Sequence, residues 1–106
     1  MSLLSVAAIA GCNSKPRLTA EEAAGKALYT GRCAHCHEEN DLALRPPPPS
    51  LHNIGDHGLL PSGDAATDVA IERVVTHGKG MMPAFAGRFT PEQFKSMTAY
   101  LRTGLR

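Results

Sequence analysis

The chain has no tryptophan, only three phenylalanines and two tyrosines in 106 residues. A domain of this size builds an apolar core that is marginal on its own. With so few large apolar side chains, it gains much from an apolar cofactor that becomes part of the core. Charge of one sign is also lacking, since 11 Lys and Arg face 10 Asp and Glu. That balance supplies no basic surface for nucleic acid. The apolar opening Met1 to Gly11, MSLLSVAAIAG, falls short of the ~20 residues a spanning helix needs. Glycine and proline are plentiful, 10 and 8 residues, and cluster between 45 and 63 and between 78 and 87. The chain is therefore expected to be one domain of a few helices joined by long loops.

One stretch organises the rest: Cys33-Ala34-His35-Cys36-His37, the C-x-x-C-H pattern of covalent haem attachment. Two thiols three positions apart on one helical turn can reach the two vinyl groups of one porphyrin as thioethers. His37 follows at once, and its imidazole falls under the ring centre, where it can serve as the proximal iron ligand. Three other readings compete. Cys33 and Cys36, followed after fifteen residues by His52 and His57, satisfy zinc-finger spacing. That fold needs a hairpin and a helix carrying both histidines, whereas Arg45 to Pro49 reads RPPPP and Gly55 interrupts the histidine pair. A redox C-x-x-C belongs at a strand-to-helix junction, and no strand-like alternation precedes Cys33. A structural disulfide is the third.

The rest of the chain is read from what a haem at that point requires. Ile9-Ala10-Gly11-Cys12 is similar to a bacterial lipobox, in which the cysteine becomes the lipidated first residue of the mature protein. Residues 1–12 are then a signal segment, 13–18 a polar tether and 19–106 the domain. No Lys or Arg precedes Lys15, a departure from the usual signal pattern, and the competing reading is a core-packed segment with a buried Cys12. Thr19 to Glu22 is a capping box, so a helix starts there and carries Gly25, Leu28, Tyr29 and Arg32 into Cys33. Gly25 permits close approach of another helix. After the acidic exit Glu38 to Asp41, the proline run is expected to be an extended strut with free carbonyls. A ligating histidine needs an acceptor on its second ring nitrogen, and the carbonyl of Pro49 is suitably placed in the chain. Leu51 and Ile54 are expected against the porphyrin, with His52 and His57 as loop or propionate contacts.

A helix is expected over 64–77, capped by Asp64 or Thr67. It carries a stripe of Val69 or Ala70, Ile71, Val74 and Val75, and Gly78 ends it. The loop His77 to Gly87 has glycine at three positions and Met82 directly before Pro83, a rigid presentation for an axial thioether. Met81 is then expected as apolar packing. Thr90 to Gln93 is a second capping box with Pro91 at N1, and Phe89 can staple to Phe94. Phe94, Met97, Tyr100 or Leu101, and Leu105 would make one face.

In this order, Gly25 and Tyr29, the C-A-H-C-H motif, Pro49-Ser50-Leu51, Gly80 to Phe85 and Ala99-Tyr100-Leu101, the chain resembles the small monohaem class I cytochromes c of bacteria. The resemblance covers about residues 19 to 105. It implies an all-α fold of three to four helices around one covalently attached haem c, with first and last helices crossing at Gly25 and Tyr100. It also implies Cys33 and Cys36 as thioether attachments, His37 and Met82 as iron ligands, and Pro49 as acceptor for His37. The expected role is one-electron transfer without enzymatic activity, since no acid and base pair surrounds an obvious pocket. The partners would be a respiratory complex, a terminal oxidase or reductase, or a periplasmic dehydrogenase. Lipidated Cys12 would tether the protein to a membrane outside the cytoplasm. The alternatives are a ligand-binding or peroxidase-type haem protein with an open distal site, and a small structural zinc module.

Overall fold

The first capping box closes as its sequence requires. Thr19 Oγ1 accepts from the Glu22 amide at 3.1 Å, and Glu22 Oε1 accepts from the Thr19 amide at 2.8 Å. Together they start α1, Ala20–Arg32. A computed structural model describes residues 17–55 and 57–106, so the lipobox at Cys12 and the segment boundaries before Arg17 lie outside the described residues. After Cys33 the helix restarts as a single turn, α2, Ala34–His37.

α3 spans Asp68–His77, with Thr67 as its cap through a 3.1 Å bond from the Ala70 amide. Of the two caps weighed in the sequence, Asp64 is thus set aside. Its side chain takes the Ser62 hydroxyl at 3.0 Å and its carbonyl takes the Leu60 amide, so residues 60–64 close a turn of their own. Only Ile71 and Val75 of the expected stripe are fully buried; Val69 is 66% exposed. α4, Pro91–Arg102, opens on the second capping box, with Gln93 and Thr90 bonded reciprocally. Phe89 meets Phe94 edge-on at 5.4 Å between ring centroids, the expected staple, and Phe85 extends it at 5.6 Å from Phe89. Leu105 lies beyond the helix with φ of +64°, half-buried against the core.

The first and last helices make the principal contact of the fold. A β-carbon on Gly25 would overlap the Ser96 carbonyl and sit 2.8 Å from Tyr100 Cβ, so only glycine fits. Tyr29 and Tyr100 stack beside it at 5.6 Å with a 58° tilt. Around this crossing lie Met97, Leu101, Ile54, Ala66, Ile71 and Val75. Among the described residues there is no strand beyond two isolated bridges, so the fold is all-α, as expected.

One tie had no counterpart in the sequence reading. Arg102, in the last turn of α4, donates to the carbonyls of Gly55 and Ala66, both at 2.7 Å, and pairs with Asp68. Its guanidinium therefore pins the 55–66 loop and the start of α3 to the C-terminal helix. A long-range bond to backbone carbonyls leaves no periodic signal in the sequence; only the position of an Arg beside buried Tyr100 and Leu101 hints at it.

Candidate haem site

The site begins at Cys33, the residue shared by the end of α1 and the start of α2. Its amide bonds to the Tyr29 carbonyl at 2.8 Å, and its own carbonyl accepts from the amides of Cys36 and His37. The motif is thereby wound into one turn, which sets both thiols and the imidazole at fixed angles. Cys33 and Cys36 are half-buried free thiols. The Cys33 sulfur lies 3.9 Å from Met97 Sδ, and burial pushes its thiol pKa up to about 11. A thiol used for disulfide exchange is driven the other way, toward the thiolate, so the environment argues against redox C-x-x-C chemistry.

His37 is positioned from the opposite side. Its Nδ1 lies 2.8 Å from the carbonyl oxygen of Pro49. A carbonyl can only accept, so Nδ1 carries the proton and Nε2 carries the lone pair. That tautomer is the one a metal requires, and Nε2 has no hydrogen-bond partner among the described residues. The proline run that delivers Pro49 is less uniform than the expected strut, because the chain bends at Arg45 and Pro46 before straightening.

The loop that carries Met81 and Met82 is a tight hairpin. Lys79 and Met82 exchange backbone bonds of 3.1 and 2.9 Å around Gly80, whose φ is +56°. Gly78 lets the loop fold back on α3, since a β-carbon there would come within 2.6 Å of the Met82 carbonyl oxygen. The Phe85 amide then bonds to Val75 at 2.9 Å. This turn separates the two adjacent methionines: Met82 packs half-buried against the core, whereas Met81 is 76% exposed. The expectation that Met81 is apolar packing is therefore overturned, because the hairpin directs consecutive side chains to opposite sides.

One apolar cluster gathers Cys33, Leu51, Ile54 and Met82, with Ile54 fully buried and the others half-buried. His52 and His57 part company. His52 Nε2 reaches Glu38 at 2.8 Å, and exposed His57 lies beside Arg102 at an open cavity of about 460 Å³. Neither sits on a helix, which removes the zinc-finger reading. Among the described residues, the metal-type cluster with ligand atoms within 4.8 Å is His35, Glu39 and Asp41; it is exposed and includes no cysteine. Glu38 is the site residue that spacing did not single out. It accepts from the buried Tyr29 hydroxyl at 2.6 Å. That bond first, and then His52, hold its carboxyl below the ordinary range. The donor set of two free thiols, a correctly tautomerised imidazole and a thioether, with Cys33 and Met82 packed on one apolar cluster, fits a haem c.

A family described as cytochrome c oxidase, cbb3-type, subunit III, matches residues 20–101. The chain belongs to the class I cytochrome c family. Cytochrome c6 of Rippkaea orientalis is 34% identical over 86 residues, 81% of this chain and 73% of the relative. Cytochrome c6 of Nostoc sp. is 31% identical over 99 residues, 93% and 85% of the two chains. That of Leptolyngbya boryana is 32% identical over 82 residues, 77% and 91%. As a member, this cytochrome carries covalently bound haem c with its iron and functions as an electron carrier.

Proposed function

We propose that this cytochrome is a closed, six-coordinate one-electron carrier, with Cys33 and Cys36 as the thioether attachments, His37 as proximal ligand and Met82 as distal ligand. When bound, the haem supplies a ferric/ferrous couple whose potential a thioether ligand raises. Pro49 fixes the plane and tautomer of the His37 ring. Leu51 and Ile54 keep water from one side of the cofactor, and Met97 fills the space behind Cys33. The observation that carries the reading is the turn at 79–82, which commits Met82 to the apolar cluster and Met81 to solvent.

Saturated axial positions leave no place for a substrate on the metal, so the protein would have no enzymatic activity of its own. Transfer would occur through small, short-lived interfaces of less than ~1,200 Å² with a respiratory complex, a terminal oxidase or reductase, or a periplasmic dehydrogenase. We place the 19–106 domain outside the cytoplasm, tethered through a lipid on Cys12 after removal of the preceding segment. Among the described residues no helix is long and apolar enough to cross a membrane.

Carbon monoxide added to the reduced protein tests the closed site. No rapid spectral change is expected; a rapid change would establish the open distal site of a ligand-binding or peroxidase-type protein instead. Met82→Ala should abolish the weak sulfur-to-iron absorption band, and Met81→Ala should leave it intact.

A further inference from the structure

The run Pro46 to Pro49 contributes no amide donors, since all four residues are proline. Backbone-to-backbone bonding lapses there: after Ala43 the next described amide that donates to a carbonyl is that of Ile54. Leu44 is held by the Asn40 side chain and His52 by Ser50; between them the hydrogen bond to the rest of the protein is the one His37 Nδ1–H donates to the Pro49 carbonyl, and Leu51 packs half-buried against the core. A carbonyl that must hold one imidazole plane would thus have that imidazole as its one hydrogen-bonded partner.

A second link joins the same two segments. Glu38 follows His37 directly, and His52 lies three residues past Pro49. Their side chains meet at 2.8 Å. Glu38 is also tied to α1 by the Tyr29 hydroxyl at 2.6 Å, and Tyr29 is only 3% exposed and stacked on Tyr100. The segments 37–38 and 49–52 are therefore joined at two rungs, one of which is anchored in the helix crossing. We propose that Glu38, clamped between Tyr29 and His52, is a positioning residue that holds the Pro49 carbonyl against Nδ1 of His37 and thereby sets the donor strength of that ring. The inference rests on His37 being the proximal ligand.

A firm Nδ1–H to carbonyl bond makes the imidazole a stronger base and favours the ferric state. Loosening the clamp lets the 49–52 segment drift, weakens the bond, and raises the reduction potential. Charge alone predicts the opposite sign for one substitution. His52→Ala leaves the Glu38 carboxylate in place without its hydrogen-bond partner, and a less screened negative charge near the haem would lower the potential.

The test is carried out on the haem-loaded protein, by following deuterium exchange of the His37 Nδ1–H in the reduced state by NMR, together with the midpoint potential. His52→Ala and Glu38→Ala should speed that exchange on the order of tenfold, as expected for loss of a hydrogen bond to a charged group. His52→Ala should shift the potential upward. Glu38→Gln keeps an oxygen that accepts from the Tyr29 hydroxyl and presents an amide N–H that His52 Nε2 accepts in its Nδ1-protonated tautomer, and should restore slow exchange despite losing the charge. Tyr29→Phe removes a hydroxyl without opening a cavity and should give an intermediate rate, so the idea does not depend on one variant folding. An unchanged or lowered potential in His52→Ala, or exchange in Glu38→Gln as fast as in Glu38→Ala, would overturn the proposal. His37 ring protons lacking a haem ring-current shift in the wild type would overturn the ligand reading and this proposal together; shifted protons with unaltered exchange would overturn this proposal alone.

Discussion

Gly25→Ala isolates the helix crossing from everything the haem contributes. Away from tertiary contact, alanine in a helix interior is favoured over glycine by about 1 kcal/mol. At Gly25 the new methyl would overlap the Ser96 carbonyl and approach Tyr100 Cβ at 2.8 Å. Overpacking costs about 1–3 kcal/mol, and the upper part applies because the obstruction is helix backbone rather than a flexible side chain. Parting the helices also weakens the Tyr29–Tyr100 contact, worth about 0.5–1.5 kcal/mol. The net loss is about 1–3 kcal/mol, a fall in Tm of roughly 5–20 °C for a domain of this size. Gly31 supplies the control on the same helix, since a β-carbon there meets nothing within 4 Å. Thermal unfolding of the haem-loaded proteins by far-ultraviolet circular dichroism should show Gly31→Ala at or above the wild type and Gly25→Ala well below. Equal Tm values for the two variants would refute the claim that α1 and α4 touch through Gly25.

Arg102→Leu should cost about 2 kcal/mol by orphaning the Gly55 and Ala66 carbonyls, read as a lower urea midpoint. Wild-type stability in that variant would show that water replaces the guanidinium freely. Phe89→Ala should cost about 1–3 kcal/mol through lost burial and the broken ring contacts with Phe85 and Phe94, measured in the same way. The two tyrosines have hydroxyl pKa values raised above the ordinary value, Tyr29 by burial and then by its bond to Glu38, Tyr100 chiefly by burial. Their stabilisation is therefore complete below pH ~10 and is lost as pH rises above it. Tyrosinate absorption should stay absent near pH 10 and appear together with loss of helix; ionisation of either tyrosine near pH 10 with helices intact would contradict the burial.

Features set by neighbours in sequence were legible in the chain. Both capping boxes need only a Thr and a Glu or Gln three residues apart, and both close as read. The haem motif is legible for the same reason, because its spacing is local chemistry. Helical spacing placed Gly25 as a point of close approach and Tyr100 on a helix face, but their meeting was named through the resemblance, since nothing in one helix states which residue of another it meets. The start of α3 was ambiguous because Asp64 and Thr67 are both good caps, and the turn at 60–64 decided between them. Met81 was misjudged because an apolar residue beside a half-buried one passes for packing unless the hairpin is known. Glu38 was read as part of an acidic exit, and its links to Tyr29 and His52 depend on where a proline-rich segment returns.

The crossing of α1 and α4 works as the buckle of a belt. Every proposed haem contact lies on the strap between the two helices, and the strap is fastened unevenly. Residues 55–66 are pinned by Arg102, whereas the loop bearing Met82 is held to α3 by the Phe85–Val75 bond and a single hairpin. A region with so few fastenings opens at a free energy below that of global unfolding. With the proposed ligation, Met82 would leave while the buckle stays shut and His37 stays in place, giving a folded species with its distal position vacated. On that reading, loss of the distal ligand and loss of the fold would be two separate transitions, the first governed by the loop and the second by a glycine.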